Sequence, residues 1–244
     1  MNTRPLRTTH ILAVIGISLW LLMPTSVAAG ETDDLTGLNA EWQQWALSIP
    51  TAVNPQLGSD DTNPDKDYST AGKCVVGQRG PIWFLAGVFG GETATRTCSV
   101  PEGKLLFFPV ANSVNINTPN ICGQGPADLS VDDLRAASAA VIDGITDFSA
   151  SLDGKTIRNI QRLRSQVFEV ALPETNVFDA PCMAANLGNV PAGIFSPAVD
   201  DGYYTLLHPL KKGPHTLHFH AANSDESFVQ DVTYKLNVVP VSQN

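Results

Sequence analysis

Much of the usual catalytic vocabulary is missing from this sequence. It has no Gly-x-Ser-x-Gly elbow, no Walker loop and no glycine-rich dinucleotide signature. The commonest hydrolase, nucleotidase and dehydrogenase layouts therefore find no foothold. None of its cysteines forms a Cys-x-x-Cys pair, which argues against thioredoxin-like exchange. Basic residues are scarce, with 15 Lys and Arg against 24 Asp and Glu. That balance argues against a phosphate backbone, so no nucleic acid is expected as partner. After the N-terminal segment no apolar run is long enough for a bilayer, and no membrane span is expected in the mature chain.

What is present begins at the N-terminus. Arg4 and Arg7 precede an apolar run at residues 11–22, and Val27, Ala28 and Ala29 follow a short polar stretch. A charged start, a greasy core and a small-residue end are the parts of an export signal. The core of about 12 residues is too short to span comfortably. Residues 1–29 are read as a signal peptide, and the chain as exported, periplasmic or secreted. Setting those residues aside moves the formal net charge from −9 to −11. Cys74, Cys98, Cys122 and Cys182 remain. In an oxidising compartment four cysteines suggest two disulfides, with three pairings open. The sequential pairing, Cys74 with Cys98 and Cys122 with Cys182, is expected. It would clip a β-rich excursion and tie both ends of a helical insertion to the sheet.

Hydrophobic spacing divides the rest into residues 30–73, an N-terminal helix and acidic loop, and residues 74–244, a β-domain. Leu35, Leu38, Trp42, Trp45 and Ile49 recur at helical spacing, capped by Asp33 or Asp34 and stopped by Pro50. Trp42 and Trp45 read as packing residues rather than a sugar platform. Residues 82–89 are continuously apolar and read as a strand. Short strands are expected at 93–98 and 105–110, and a loop at 111–127. Ser130 and Asp133 resemble a capping box. A helical insertion near 130–148 should bury Leu134, Ala137, Val141, Ile145 and Phe148. Asp153-Gly154 marks a tight turn. Lys155, Arg158, Arg162 and Arg164 read as a charged sheet edge or loop. Residues 173–201 read as a second long loop. The C-terminal third alternates apolar and polar residues, with Val232, Tyr234, Leu236 and Val238 on one face. The fold class expected is mainly β: an antiparallel β-sandwich, immunoglobulin-like or jelly-roll-like, with two accessory helices.

Four segments, residues 80–87, 98–104, 201–204 and 213–219, together resemble a group of uncharacterised exported bacterial β-rich proteins. The resemblance implies export and a β-rich core. It carries over no catalytic residue.

Two metal candidates stand out. On the strand 215–222 a period of two puts Leu217, Phe219 and Ala221 on one face and Thr216, His218 and His220 on the other. Two imidazoles on one side are the start of a zinc or copper site, with a third ligand from His208, Asp200, Asp201 or Glu102. His215 shares the apolar register and reads as structural. In the loop 61–67, Asp61, Asn63, Asp65 and Asp67 offer oxygens at alternate positions, as a calcium loop does. Lys66 and Gly72 stand where an EF-hand needs Gly and Glu, so only a looser calcium clip fits. Trp83, Tyr203 and Tyr204 are candidate ligand contacts.

Two functions compete on this reading. The first is an exported, non-catalytic binding or structural module, with a glycan, peptide or envelope protein as partner. The second is a metal-dependent enzyme or metal-binding protein using zinc or copper on the His-x-His strand.

Overall fold

The computed structural model describes residues 35, 37–57 and 73–240. The expected signal peptide at 1–29 and the oxygen-rich loop bearing Asp61, Asn63, Asp65 and Asp67 lie outside the described residues. The described residues gather into one compact unit.

Among the described residues ten strands carry the fold. They are β1 (Ile82–Phe84), β2 (Thr93–Pro101), β3 (Leu105–Ile116), β4 (Ile145–Leu152), β5 (Lys155–Thr156), β6 (Gln161–Arg164), β7 (Phe168–Leu172), β8 (Gly193–Leu207), β9 (Gly213–Asn223) and β10 (Val229–Val239). Three helices accompany them: α1 (Leu38–Leu47), α2 (Val131–Asp143) and the short α3 (Asp179–Ala184). One five-stranded sheet runs β1-β3-β8-β6, with β7 also paired to β8; the second runs β2-β10-β9-β4-β5. The chain is therefore mainly β, but its sheets are mixed. β1 lies parallel to β3, and β2 parallel to β10. A purely antiparallel expectation missed this because β2, which follows β1 in sequence, crosses into the other sheet before β3 returns beside β1.

The two sheets share a core. Phe108 and Val110 from β3 meet Leu217 and Phe219 from β9 and Val232 and Tyr234 from β10. Phe108 and Phe219 stack with ring centroids 5.0 Å apart. Helix α1 covers part of the first sheet's other face, laying Trp42, Trp45 and Ala46 on Phe107, Tyr204 and Leu206. Large aromatics dominate the energetics of such a seam. Both indole N–H groups are satisfied, Trp42 by the Leu85 carbonyl and Trp45 by that of Val76. Packing thus accounts for both tryptophans. The helix begins after Gly37, whose φ of 83° is left-handed backbone, so glycine rather than an aspartate occupies the N-cap.

Several boundaries differ from the spacing. β1 ends at Phe84, and residues 85–91 form a loop into the core. Buried loop carbonyls need donors. Arg96, fully buried on β2, supplies them: its guanidinium donates to the carbonyls of Ala86 and Gly87 and to the Tyr234 hydroxyl. β3 runs on to Ile116 because Asn112 to Ile116 pair with β8, beyond a bulge between Pro109 and Ala111. The expected loop at 173–201 contains α3 and the start of β8. Helix α2 does start on the Ser130–Asp133 capping box. It stops at Asp143, however, and buries Leu134, Ser138 and Ile142, leaving Val141 54% exposed. Phe148 belongs to β4 and stacks on Tyr203 at 4.2 Å. Asp153 and Gly154 turn between β4 and β5 with φ of 50° and 75°, the doubly positive signature of a tight hairpin. Disulfides join Cys74 to Cys98, with Cα atoms 6.0 Å apart, and Cys122 to Cys182, at 5.4 Å.

Candidate functional site

The outer face of the second sheet holds the imidazole pair. On β9 the inner residues Leu217, Phe219 and Ala221 are buried, while His218 and His220 are half-buried on the opposite side. Between them stands Asp231, the β10 residue opposite His220. Its Oδ1 lies 3.1 Å from His218 Nε2 and its Oδ2 3.2 Å from His220 Nδ1. Asp147 on β4 approaches the other nitrogen of His220 at 3.8 Å. The two imidazoles therefore straddle one carboxylate, each on its own oxygen. Among the described residues no three His, Cys, Asp or Glu side chains form a group able to hold a metal ion. The third ligands considered for the pair lie elsewhere. Asp200 and Asp201 sit on β8 in the first sheet, His208 is exposed between β8 and β9, and Glu102 follows β2. Asp231 was missed because it lies 11 residues beyond His220, across a hairpin.

The same face lines up Ser149, His220 and Asp231 as direct cross-strand neighbours on β4, β9 and β10. The order matches a nucleophile triad, but the surroundings do not. Ser149 makes no hydrogen bond to His220 among the described contacts, and the neighbouring strands hold one another in a regular ladder. A flat, paired sheet face offers no pair of free N–H donors for an oxyanion.

A cleft of about 220 Å³ opens on the first sheet. Gln43 and Leu47 of α1, Gln56, the 85–91 loop through Phe89, and Asn112 of β3 border it, with Phe178, Phe228 and Gln230. Its polar wall is built from behind. Asp200, buried on β8, accepts from Asn39 Nδ2 at 2.9 Å, from Gln43 Nε2 at 2.6 Å and from the Tyr204 hydroxyl at 3.0 Å. Tyr204 in turn accepts from Asn112 Nδ2 at 3.0 Å. Burial pushes the Asp200 carboxyl up to about 7, against the pull of those donors. The Tyr204 hydroxyl is also driven well up, by burial first and then by Asp200. Gln230 is spent at both ends, accepting from the Val88 N–H at 2.8 Å and donating to the Val110 carbonyl at 2.6 Å. Gln56 differs. It is only 7% exposed, and its shielded Oε1 has no hydrogen-bond partner among the described residues. Leaving such an acceptor unmade costs about 1–3 kcal/mol.

The sequence offered one hint of this cleft. Asn39 and Gln43 stand four apart on a helix whose neighbouring positions are apolar, so a polar pair had to be buried with partners. Gln56, Asn112, Phe89, Phe178 and Phe228 carried no such signal, because they come from separate segments.

The aromatic candidates fall elsewhere. Trp83 is buried in the core between the sheets and Tyr204 is fully buried behind the cleft, so neither offers a surface contact. Tyr203 is half-buried under Phe148 and 6.0 Å from the Arg162 guanidinium. Arg162 and Arg164 sit on edge strand β6, both paired to Asp201, and Arg162 also to Asp143. The hollow of about 240 Å³ beside them, under Arg135 and Ser138 of α2, is lined by Asp200 and Asp201, of which Asp201 is already matched by the arginines and Asp200 by the amides of α1. A wider groove of about 560 Å³ runs past Trp45 and Arg79, but Trp45 is committed to packing there.

Comparison with protein families, curated proteins and solved structures returns no match. The two disulfides fit an oxidising, extracytoplasmic environment. No helix among the described residues is long and apolar enough to cross a membrane.

Proposed function

We propose that this chain is an exported, non-catalytic binding module that holds its ligand in the cleft between α1 and β3. The carrying observation is the sequestered Gln56 Oε1, an acceptor without a donor among the described residues, on a residue that lines a cavity. Ligand sites are concave and largely apolar, with a few placed polar groups, and this cleft has that make-up. The scaffold is read as a β-sandwich whose parallel pairs depart from immunoglobulin-like and jelly-roll-like layouts. The zinc- or copper-dependent alternative draws no support from imidazoles turned onto one carboxylate. Thermal-shift screening of saccharides, short peptides and envelope fragments tests the proposal. At least one compound should raise the melting temperature of the wild type and leave the Gln56→Met protein unmoved. Silence across the panel counts against a ligand in the cleft, and turnover of any compound counts against a non-catalytic role.

A further inference from the structure

Resting on that reading of the cleft, we infer that its ligand is an uncharged, hydroxyl-rich ring: one neutral saccharide unit. Three observations converge on that class. Among the described residues no Asp, Glu, Lys, Arg or His lines the cleft, so a charged ligand would lose its hydration without gaining a counter-charge from them. The polar side chains that line the cleft are three glutamines, one asparagine and Ser113, so carboxamides predominate. Gln43 and Asn112 each use their amide nitrogen inward, on Asp200 and Tyr204. Among the described residues their carbonyl oxygens take no donor, and neither does the more shielded one of Gln56. A carbonyl asks for a donor and a residual amide N–H asks for an acceptor. A hydroxyl is both, and vicinal hydroxyls on a ring can meet several carboxamides at once. The remaining wall is aromatic. Phe89 and Phe178 stand edge to face at 5.5 Å, and Phe228 lines the cleft beside them. Such rings suit the C–H face of a sugar, apolar on one side and polar at its rim.

The cleft, about 220 Å³, has room for one sugar ring. Glycine keeps the wall open: a Cβ on Gly91, whose φ is +79°, would stand 2.6 Å from the Phe228 ring.

The test uses the untagged, oxidised mature chain and five probes. They are glucose, N-acetylglucosamine, glucosamine, glucuronate and N-acetyl-dialanine amide, titrated by calorimetry and by NMR of the side-chain carboxamides. A neutral sugar should shift the amide signals of Gln43, Gln56 and Asn112, and its charged counterparts should bind at least tenfold more weakly. Gln56→Met should lose at least tenfold in affinity while its unliganded melting temperature holds or rises. Equal binding of the charged rings, or binding of the peptide amide alone, overturns the saccharide assignment and leaves the cleft as a site. Amide signals that stay still with every probe overturn both. The NMR arm needs no variant, so a poorly folding substitution cannot hide the answer.

Discussion

Gln43 Nε2 donates to Asp200 Oδ1 at 2.6 Å, joining α1 to β8 across 157 residues of sequence. The bond places a carboxyl group where water cannot reach it, directly behind two amides of the cleft wall. Its consequence is measurable as a pH dependence.

Burial raises the Asp200 carboxyl from 3.8 to about 7. Between those values the folded protein holds a proton that the unfolded chain has released, so stability falls as pH rises from about 4 to about 7. The span corresponds to a loss on the order of 4 kcal/mol. Urea unfolding of wild type and Asp200→Asn across that range should show the wild type losing this amount relative to the variant. Parallel profiles would mean that Asp200 is ionised throughout.

The Asp153–His215 pair titrates with the other sign for each partner. His215 Nδ1 lies 2.7 Å from Asp153 Oδ2, and its Nε2 reaches the Lys211 carbonyl at 2.7 Å. The Asp153 contact, then Lys211, raises the imidazole above 6.5. Asp153 is held below 3.8 by His215 and by the Thr216 N–H. The histidine's contribution is complete below about 6.5 and is lost as pH climbs through its folded value. The aspartate's contribution is present above its unfolded value and disappears as pH falls through the folded one. Asp153→Asn should lower the His215 titration midpoint, read from its Cε1 proton by NMR. An unmoved midpoint would place the cause elsewhere.

Arg96 holds the loop that shapes one side of the cleft. Arg96→Met removes a donor from each of the Ala86 and Gly87 carbonyls; Ala86 keeps the Tyr234 hydroxyl at 2.9 Å, and the Gly87 carbonyl loses the guanidinium. Leaving a buried acceptor unmade costs about 1–3 kcal/mol. Chemical denaturation should show that loss, and amide exchange at 86–90 should rise more than in the β9–β10 hairpin. A uniform rise would mean that Arg96 serves the whole core equally.

Cys122–Cys182 closes a separation of 60 residues and Cys74–Cys98 one of 24. Loop-closure entropy assigns them about 4 and about 3.5 kcal/mol. Cys122→Ala with Cys182→Ala should lower the melting temperature by roughly 8–16 °C. A change of a degree or two would show that hydrogen bonds such as Asn176 Nδ2 to the Val190 carbonyl already hold the α3 region.

Local chemistry was readable before folding. The alternation that sends His218 and His220 out of the same side of β9 needs only the pleat of a strand. The Ser130–Asp133 capping box and the Asp153-Gly154 turn likewise depend on neighbours within four residues. The apolar spacing that laid Trp42 and Trp45 on a sheet is a property of one helix. What tertiary structure alone decided is adjacency: β1 beside β3, β10 beside β2, Asp231 between two imidazoles, and Arg96 under a loop that reads as strand. The cleft is the extreme case. Gln43, Gln56, Phe89, Asn112, Phe178 and Gln230 meet there from six separate stretches of chain. Repeats of two and 3.6 residues are set by backbone geometry within one element, whereas a cavity is set by which elements come to lie side by side.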